Sequence, residues 1–172
     1  MTKTTDRTSQ LITAANDPKT LTRYHAKITK LPETTCWLWT GAISGRGHGR
    51  FWIRDNIVVI AHRFAWILHQ LSHHATAGND SISLIWLPEV VTHTCDNPIC
   101  QNPDHLRAGT PTTNRREWSQ RRTTPGSPLR DLRGAHGRAL ALRDAARSHH
   151  ADIRKVLDAG LGEIDRYQPT LW

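Results

Sequence analysis

A small α+β fold with a helical C-terminal extension is what this sequence predicts, and three observations lead there. Aromatic and β-branched residues crowd "CWLWTGAISGRGHGRFWIRDNIVVIAH" (36–62) on both sides of a glycine-rich turn, which is the composition of a hairpin or small sheet. "AHRFAWILHQLSHH" (61–74) then places Ala61, Phe64, Ala65, Ile67, Leu68 and Leu71 at helical spacing, so one face can pack. Finally, "HTCDNPICQNPDH" (93–105) gathers two of the three cysteines and two histidines among turn-forming Asn, Asp and Pro. Such a loop has little secondary structure of its own and needs another source of order.

Taken in order, residues 1–20 are rich in Thr, Ser, Asp and Asn with little periodicity and are expected to be a flexible tail. "LTRYHAKITKL" (21–31) predicts a short helix that Pro32 ends. The sheet-forming segment follows, with the glycines of "SGRGHG" supplying its turn. After the helix at 61–74 come a loop, "ATAGNDSIS", and an apolar extended segment, "LIWLPEVVTH", that ends on His93. Beyond the Cys-rich loop, "TPTTNRREWSQRR" carries Thr cap candidates and an early Pro, which predicts a helix start. The main domain therefore spans 21–122. "TTPGSPLR" (123–130) reads as a linker, and 131–172 as a small helical accessory unit. Leu140, Leu142, Ala145, Ala146, Ile153, Val156 and Leu157 supply its packing, with Gly160 as a helix C-cap. Trp37, Trp39, Trp52, Trp66 and Trp86 place most of the bulky core material in the central third.

Lys and Arg number 23 against 15 acidic residues, a formal charge of +8, which points to a polyanionic partner. No segment approaches the about 20 apolar residues of a membrane span, and the N-terminal residues lack the apolar run of a signal peptide. An intracellular protein in the cytoplasm is the expectation, and membrane association is not. In a reducing compartment, three cysteines suit metal ligation better than disulfides.

Cys95, Cys100 and His105 recur at five-residue steps, and Cys36 lies far upstream. Together they form a Cys3His set, the tetrahedral donor set of structural zinc. His93 is surplus to that set. At the end of an apolar strand beside a braced loop, it would be held in place yet reachable by solvent, and its ordinary pKa of about 6.5 suits a general base. Asn114, nine residues after His105 and in the first turns of the next helix, offers an amide oxygen to a hard cation such as magnesium.

"CWLWTGAISGRGHGRF", "AHRFAW" and "HTCDNPICQNPDHLRAGTPTTN" resemble the HNH nuclease superfamily, whose fold is the ββα-metal or His-Me finger, in its phage and mobile-element form. The order His, Cys, Cys, His, Asn also resembles the His-Cys box homing endonucleases. The resemblance covers residues 36–118. It implies a zinc-stabilised endonuclease that hydrolyses DNA phosphodiester bonds, with His93 as the base that deprotonates water and Asn114 as the ligand of a catalytic magnesium. Cys36, Cys95, Cys100 and His105 fall on the family's structural zinc ligands. Many relatives carry Asp or His immediately before the base, where this chain has Thr92, and the second zinc site of the His-Cys box enzymes has no cysteines here.

On the same reading Arg63 is the candidate for neutralising the pentavalent phosphate. Arg46, Arg50 and Arg54 would line a β-ribbon on DNA, and Arg115, Arg116, Arg121 and Arg122 would meet the phosphate backbone. A homodimer would suit double-strand cleavage, because one site per chain nicks one strand. Two alternatives stay open: a non-catalytic zinc-containing DNA-binding module, and an RNA-directed nuclease of the same fold. The terminal "QPTLW" resembles the short peptide with which bacterial replication proteins dock on the sliding clamp. Homing, DNA packaging and defence are equally compatible roles.

Overall fold

The computed structural model describes residues 2–54, 56–76, 85–148 and 152–167. Among these residues it is a mixed α+β protein with three two-stranded antiparallel sheets and helices around them. Helix α1 (Thr2–Ala15) opens the chain, followed by α2 (Pro18–His25). Asp17 caps α2 by accepting from Lys19 N and Thr20 N, with Pro18 at the first turn, where its missing N–H costs nothing. Strand β1 (Ile28–Lys30) pairs with β2 (Trp37–Trp39), and β3 (Arg50–Arg54) with β4 (Ile57–Ile60). Helix α3 (Ala61–Thr76) follows without a break. Strand β5 (Val90–His93) pairs with β6 (Leu106–Gly109), which leads into α4 (Pro111–Arg121). Helices α5 (Gly134–Ser148), α6 (Ile153–Asp158) and α7 (Glu163–Arg166) complete the described chain.

Residues 1–20 are not a free tail, contrary to expectation: α1 occupies most of them and buries Leu11, Ala14 and Ala15 in the core. Those three apolar residues are enough for one helical face, and the polar residues around them hid it. The helix expected at 21–31 starts at Pro18 and stops at His25, and Ile28–Lys30 forms a strand because β2 is there to pair with it. The "SGRGHG" segment does not turn the hairpin. It closes on itself through an Ile43–Gly49 bridge, and the β3–β4 turn lies at Asn56, which adopts φ +60° as Asn tolerates.

Nor does 123–130 separate two cores. Gly126 and Ser127 are buried, Gly126 N–H donates to Asp165, and Ala139, Leu142, Ala145, Ala146 and Ile153 join the same hydrophobic cluster as Leu38 and Phe51. Arg147 Nε donates to Thr40 O at 2.9 Å, so α5 is tied to the sheet region by hydrogen bonds as well. The expected clamp peptide, 168–172, lies outside the described residues.

The tryptophans divide unexpectedly. Only Trp39 among the five central ones is fully buried, whereas Trp52 and Trp86 are 61% and 53% exposed. The aromatic core is Tyr24, Trp39, Phe51 and Phe64, with ring centroids 4.9 to 5.8 Å apart, within the range of edge-to-face packing. Trp39 fits because the chain passes it twice as glycine: a Cβ at Gly49 would lie 2.6 Å from the ring, and one at Gly41 2.7 Å. Gly49→Ala is therefore expected to destabilise the protein by about 1–3 kcal/mol, the usual cost of overpacking a core. A urea unfolding curve checks this, with an unchanged midpoint as the contrary result.

Candidate metal centre and adjoining histidines

The loop between β5 and β6 is ordered by side chains and by its contact with β2. Trp39 N–H donates to Ile99 O at 3.0 Å and Gln101 N–H to Trp37 O at 2.8 Å, while Leu38 bridges Cys100. This short ladder carries Cys36, the residue just before β2, to the loop although some sixty positions separate them. Asn102 reinforces the join by donating to Thr35 O at 2.8 Å and capping the 3-10 turn Pro103–His105. Asn97 is buried, and its Oδ1 accepts from Ile99 N. The Asn and Pro residues thus do backbone work that no strand or helix could do in so tight a path.

Four donors converge as expected: Cys36, Cys95, Cys100 and His105 have ligand atoms all within 4.8 Å of one another. Cys36 Sγ and Cys100 Sγ lie 3.7 and 3.4 Å from His105 Nδ1. A tetrahedron with metal–sulfur and metal–nitrogen bonds of about 2.3 and 2.05 Å has S···N edges of about 3.5 Å, so the donors fit a tetrahedral ion. All three cysteines are free thiols. Hydrogen bonds from Cys100 and Cys95 stabilise a thiolate at Cys36, and the same crowding pushes Cys95 and Cys100 up. A divalent ion would favour all three thiolates.

His93 ends β5 beside this cluster, half-buried. Its Nε2 lies 3.0 Å from Cys100 O. A carbonyl can only accept, so Nε2 carries the proton and Nδ1 keeps its lone pair. Burial brings its pKa down to about 4 despite that hydrogen bond, which leaves the ring neutral at physiological pH. Asn114 sits in the first turn of α4, behind the capping box of Thr110 and Thr113. Its carboxamide makes no hydrogen bond among the described residues, and α4 packs against β5. Gly109 permits that approach, since a Cβ there would lie 3.1 Å from Thr92 and 3.4 Å from Thr113. Thr92 is buried and accepts from Arg107 Nε at 3.3 Å.

The arginines separate into braces and exposed cations. Arg63 does not point into open space: its Nη1 and Nη2 donate to Glu89 O and Pro88 O at 3.0 and 2.9 Å, holding the segment that leads into β5. Arg121 lies 2.8 Å from Asp96 and 3.6 Å from Glu117, and so pins α4 to the metal loop. The Asp96 pair is close but not aligned as a hydrogen bond. Arg122 stacks over Trp118 at 4.5 Å. Arg46, Arg50, Arg54, Arg115 and Arg116 are exposed. Arg50 and Arg54 flank exposed Trp52 on one face of β3.

His62 is a candidate that the sequence does not single out. It is 3% exposed at the start of α3, its ring packs edge-on to His93 at 4.4 Å, and its Nδ1 has no partner among the described residues. His48 stacks behind it at 5.4 Å. Burial, then the neighbouring His93, push the His62 pKa well below its ordinary value. The signal available in the chain is slight: position 62 adjoins the Ala61–Ala65 face of the helix. Because the folded protein resists protonating His62 while the unfolded chain accepts a proton near pH 6.5, the stability this residue contributes is complete above that pH. It is lost on acidification, at up to about 1.4 kcal/mol per pH unit. Chemical unfolding at a series of pH values from 7 to 5 should show this slope, and His62→Phe should remove one proton's share of it.

Over 117 residues, 67% of this chain and 79% of its relative, the sequence is 30% identical to protein 7.7 of Escherichia phage T7. The chain belongs to the protein 7.7 family. Protein 2.8 of the same phage is 33% identical over 85 residues, 49% of this chain, and the chain spans only 50% of that protein's length. Neither name states an activity. No family model and no solved structure matches. Among the described residues of this protein 7.7 family member, no helix is long and apolar enough to cross a membrane.

Proposed function

We propose that the protein is a metal-dependent DNA endonuclease of the HNH, His-Me finger type. One observation carries this reading: strand β5, the Cys3His loop, strand β6 and helix α4 are consecutive, with a fixed, neutral imidazole at the end of the first strand and, in the first turn of the helix, a carboxamide unpaired among the described residues. Neither His93 nor Asn114 belongs to the four-donor set, so the metal cluster does not explain their placement.

In this mechanism the Cys100 carbonyl anchors Nε2–H of His93, and Nδ1 accepts the proton of the attacking water. Cys36, Cys95, Cys100 and His105 would hold zinc, which would keep that carbonyl in place. Asn114 would hold magnesium through its amide oxygen, which would supply charge neutralisation for the phosphate and the departing 3′ oxygen. Thr92, whose hydroxyl accepts from Arg107, would not be a second ligand, and DNA oxygens and water would supply the remaining ligands. Arg63, occupied with backbone carbonyls, supports β5, and its role toward the phosphate is replaced by the exposed Arg50, Arg54, Arg115 and Arg116 as DNA contacts.

The test is magnesium-dependent nicking of supercoiled plasmid by the purified protein. Nicking that disappears with magnesium chelation supports the reading. Retained DNA binding without nicking would replace it with the non-catalytic binding module, for which the occupied Arg63 speaks. Cleavage confined to RNA would select the third alternative.

A further inference from the structure

Arg138, on α5, is buried at 8% exposure. Its Nη1 lies 3.3 Å from Asp131 Oδ2, but Arg133 already grips that carboxylate through Nη2 at 2.7 Å and Nε at 2.9 Å. Nε of Arg138 has no partner among the described residues. One carboxylate thus faces two guanidinium groups, which leaves a surplus positive charge. Water reaches Arg133 more readily, at 27% side-chain exposure against 9% for Arg138, so the charge that lacks compensation is the buried one. A charge in that position needs a partner.

A cleft of about 720 Å³ is lined by Arg138 and by Cys36, Cys95 and His105. A divalent ion held by three thiolates and a neutral imidazole has a net charge of minus one. The charge of Arg138 and that of such a centre are of opposite sign, and Glu33, Arg154, Asp158, Asp165 and Arg166 line the same cleft. We propose that Arg138 is the outer-sphere charge partner of the Cys3His metal centre, so that α5 is a functional part of that centre. Burial works against the charge on Arg138, and Asp131 and the Cys36 thiolate are among the groups that favour it. The proposal rests on the metal reading of the four donors and is independent of nuclease activity. It also gives a reason for a buried arginine beside a carboxylate that another arginine already satisfies.

The experiment measures zinc affinity of the full chain by competition with a chromogenic chelator, together with the rate of thiol alkylation, in the wild type, Arg138→Met, Arg138→Lys and Asp131→Asn. Arg138→Met is expected to weaken zinc about 10–100-fold, the usual effect of losing an outer-shell partner, and to speed alkylation, while Arg138→Lys retains most of the affinity. Asp131→Asn is expected to bind zinc as tightly as the wild type or more tightly, because it frees the guanidinium charge for the metal side. Equal affinity in Arg138→Met, or equal weakening in Asp131→Asn, would mean that the pair only supports the fold, and the proposal would fall. If Arg138→Met does not fold, the Asp131→Asn result decides in the same way. A wild-type chain with no bound zinc would overturn this proposal and the metal assignment together.

Discussion

Stripping the metal, or replacing Cys100 by Ser, is expected to unfold the β5–β6 loop and with it much of the protein. Cys100 is fully buried, bridges Leu38 of β2, lies 3.4 Å from His105 Nδ1 and accepts from Asn102 N–H at 3.4 Å. Apart from one 3-10 turn and the short ladder to β2, residues 94–105 form no regular structure, so side-chain ligation is expected to supply much of their order. Structural zinc has an apparent binding energy of about 10–16 kcal/mol at neutral pH, whereas whole domains are stable by about 5–15 kcal/mol. The metal term is therefore as large as the entire margin, and the apo protein should not fold cooperatively. Elemental analysis should find one zinc per chain, and chelation should abolish the thermal transition seen by circular dichroism. A metal-free protein that melts normally would contradict the assignment.

Replacing His93 by Ala is expected to lower plasmid nicking by about 10²–10⁴-fold, the range for a positioned general base, while zinc content and melting temperature stay near those of the wild type. The separation follows from geometry. His93 lies outside the donor set, is only half-buried, and its single hydrogen bond to Cys100 O contributes about 1 kcal/mol to stability. Asn114→Ala should give a similar loss that higher magnesium partly restores, because it removes a ligand and leaves the base in place. Equal nicking by wild type and His93→Ala, or loss of zinc in that variant, would sink the catalytic role.

Helix α3 and the start of α4 are legible in the amino-acid sequence because they follow from short-range rules: apolar residues at helical spacing in one case, Thr110 and Pro111 ahead of a helix-forming run in the other. The four metal donors are legible for a similar reason, since Cys95, Cys100 and His105 are close in the chain and only Cys36 has to be brought from afar. Helix α1, strand β1 and the packing of α5 onto the central sheets are not. Each depends on a partner distant in the chain: α1 on α3 and β3, β1 on β2, α5 on β2. A stretch of few apolar residues looks like a tail until the surface that buries them is known.

For the site, residue chemistry alone determined which side chains are able to bind a metal, accept a proton or carry charge, because those abilities belong to the side chain and its near neighbours. Only the tertiary structure decided how they are used. It turned Arg63 and Arg121 into braces by placing backbone carbonyls and carboxylates within their reach. It set His62 against His93 and brought Arg138 to the cleft that the thiols line. Burial and pairing are properties of long-range contact, and they decide whether a given imidazole or guanidinium is a catalyst, a support or a counter-charge.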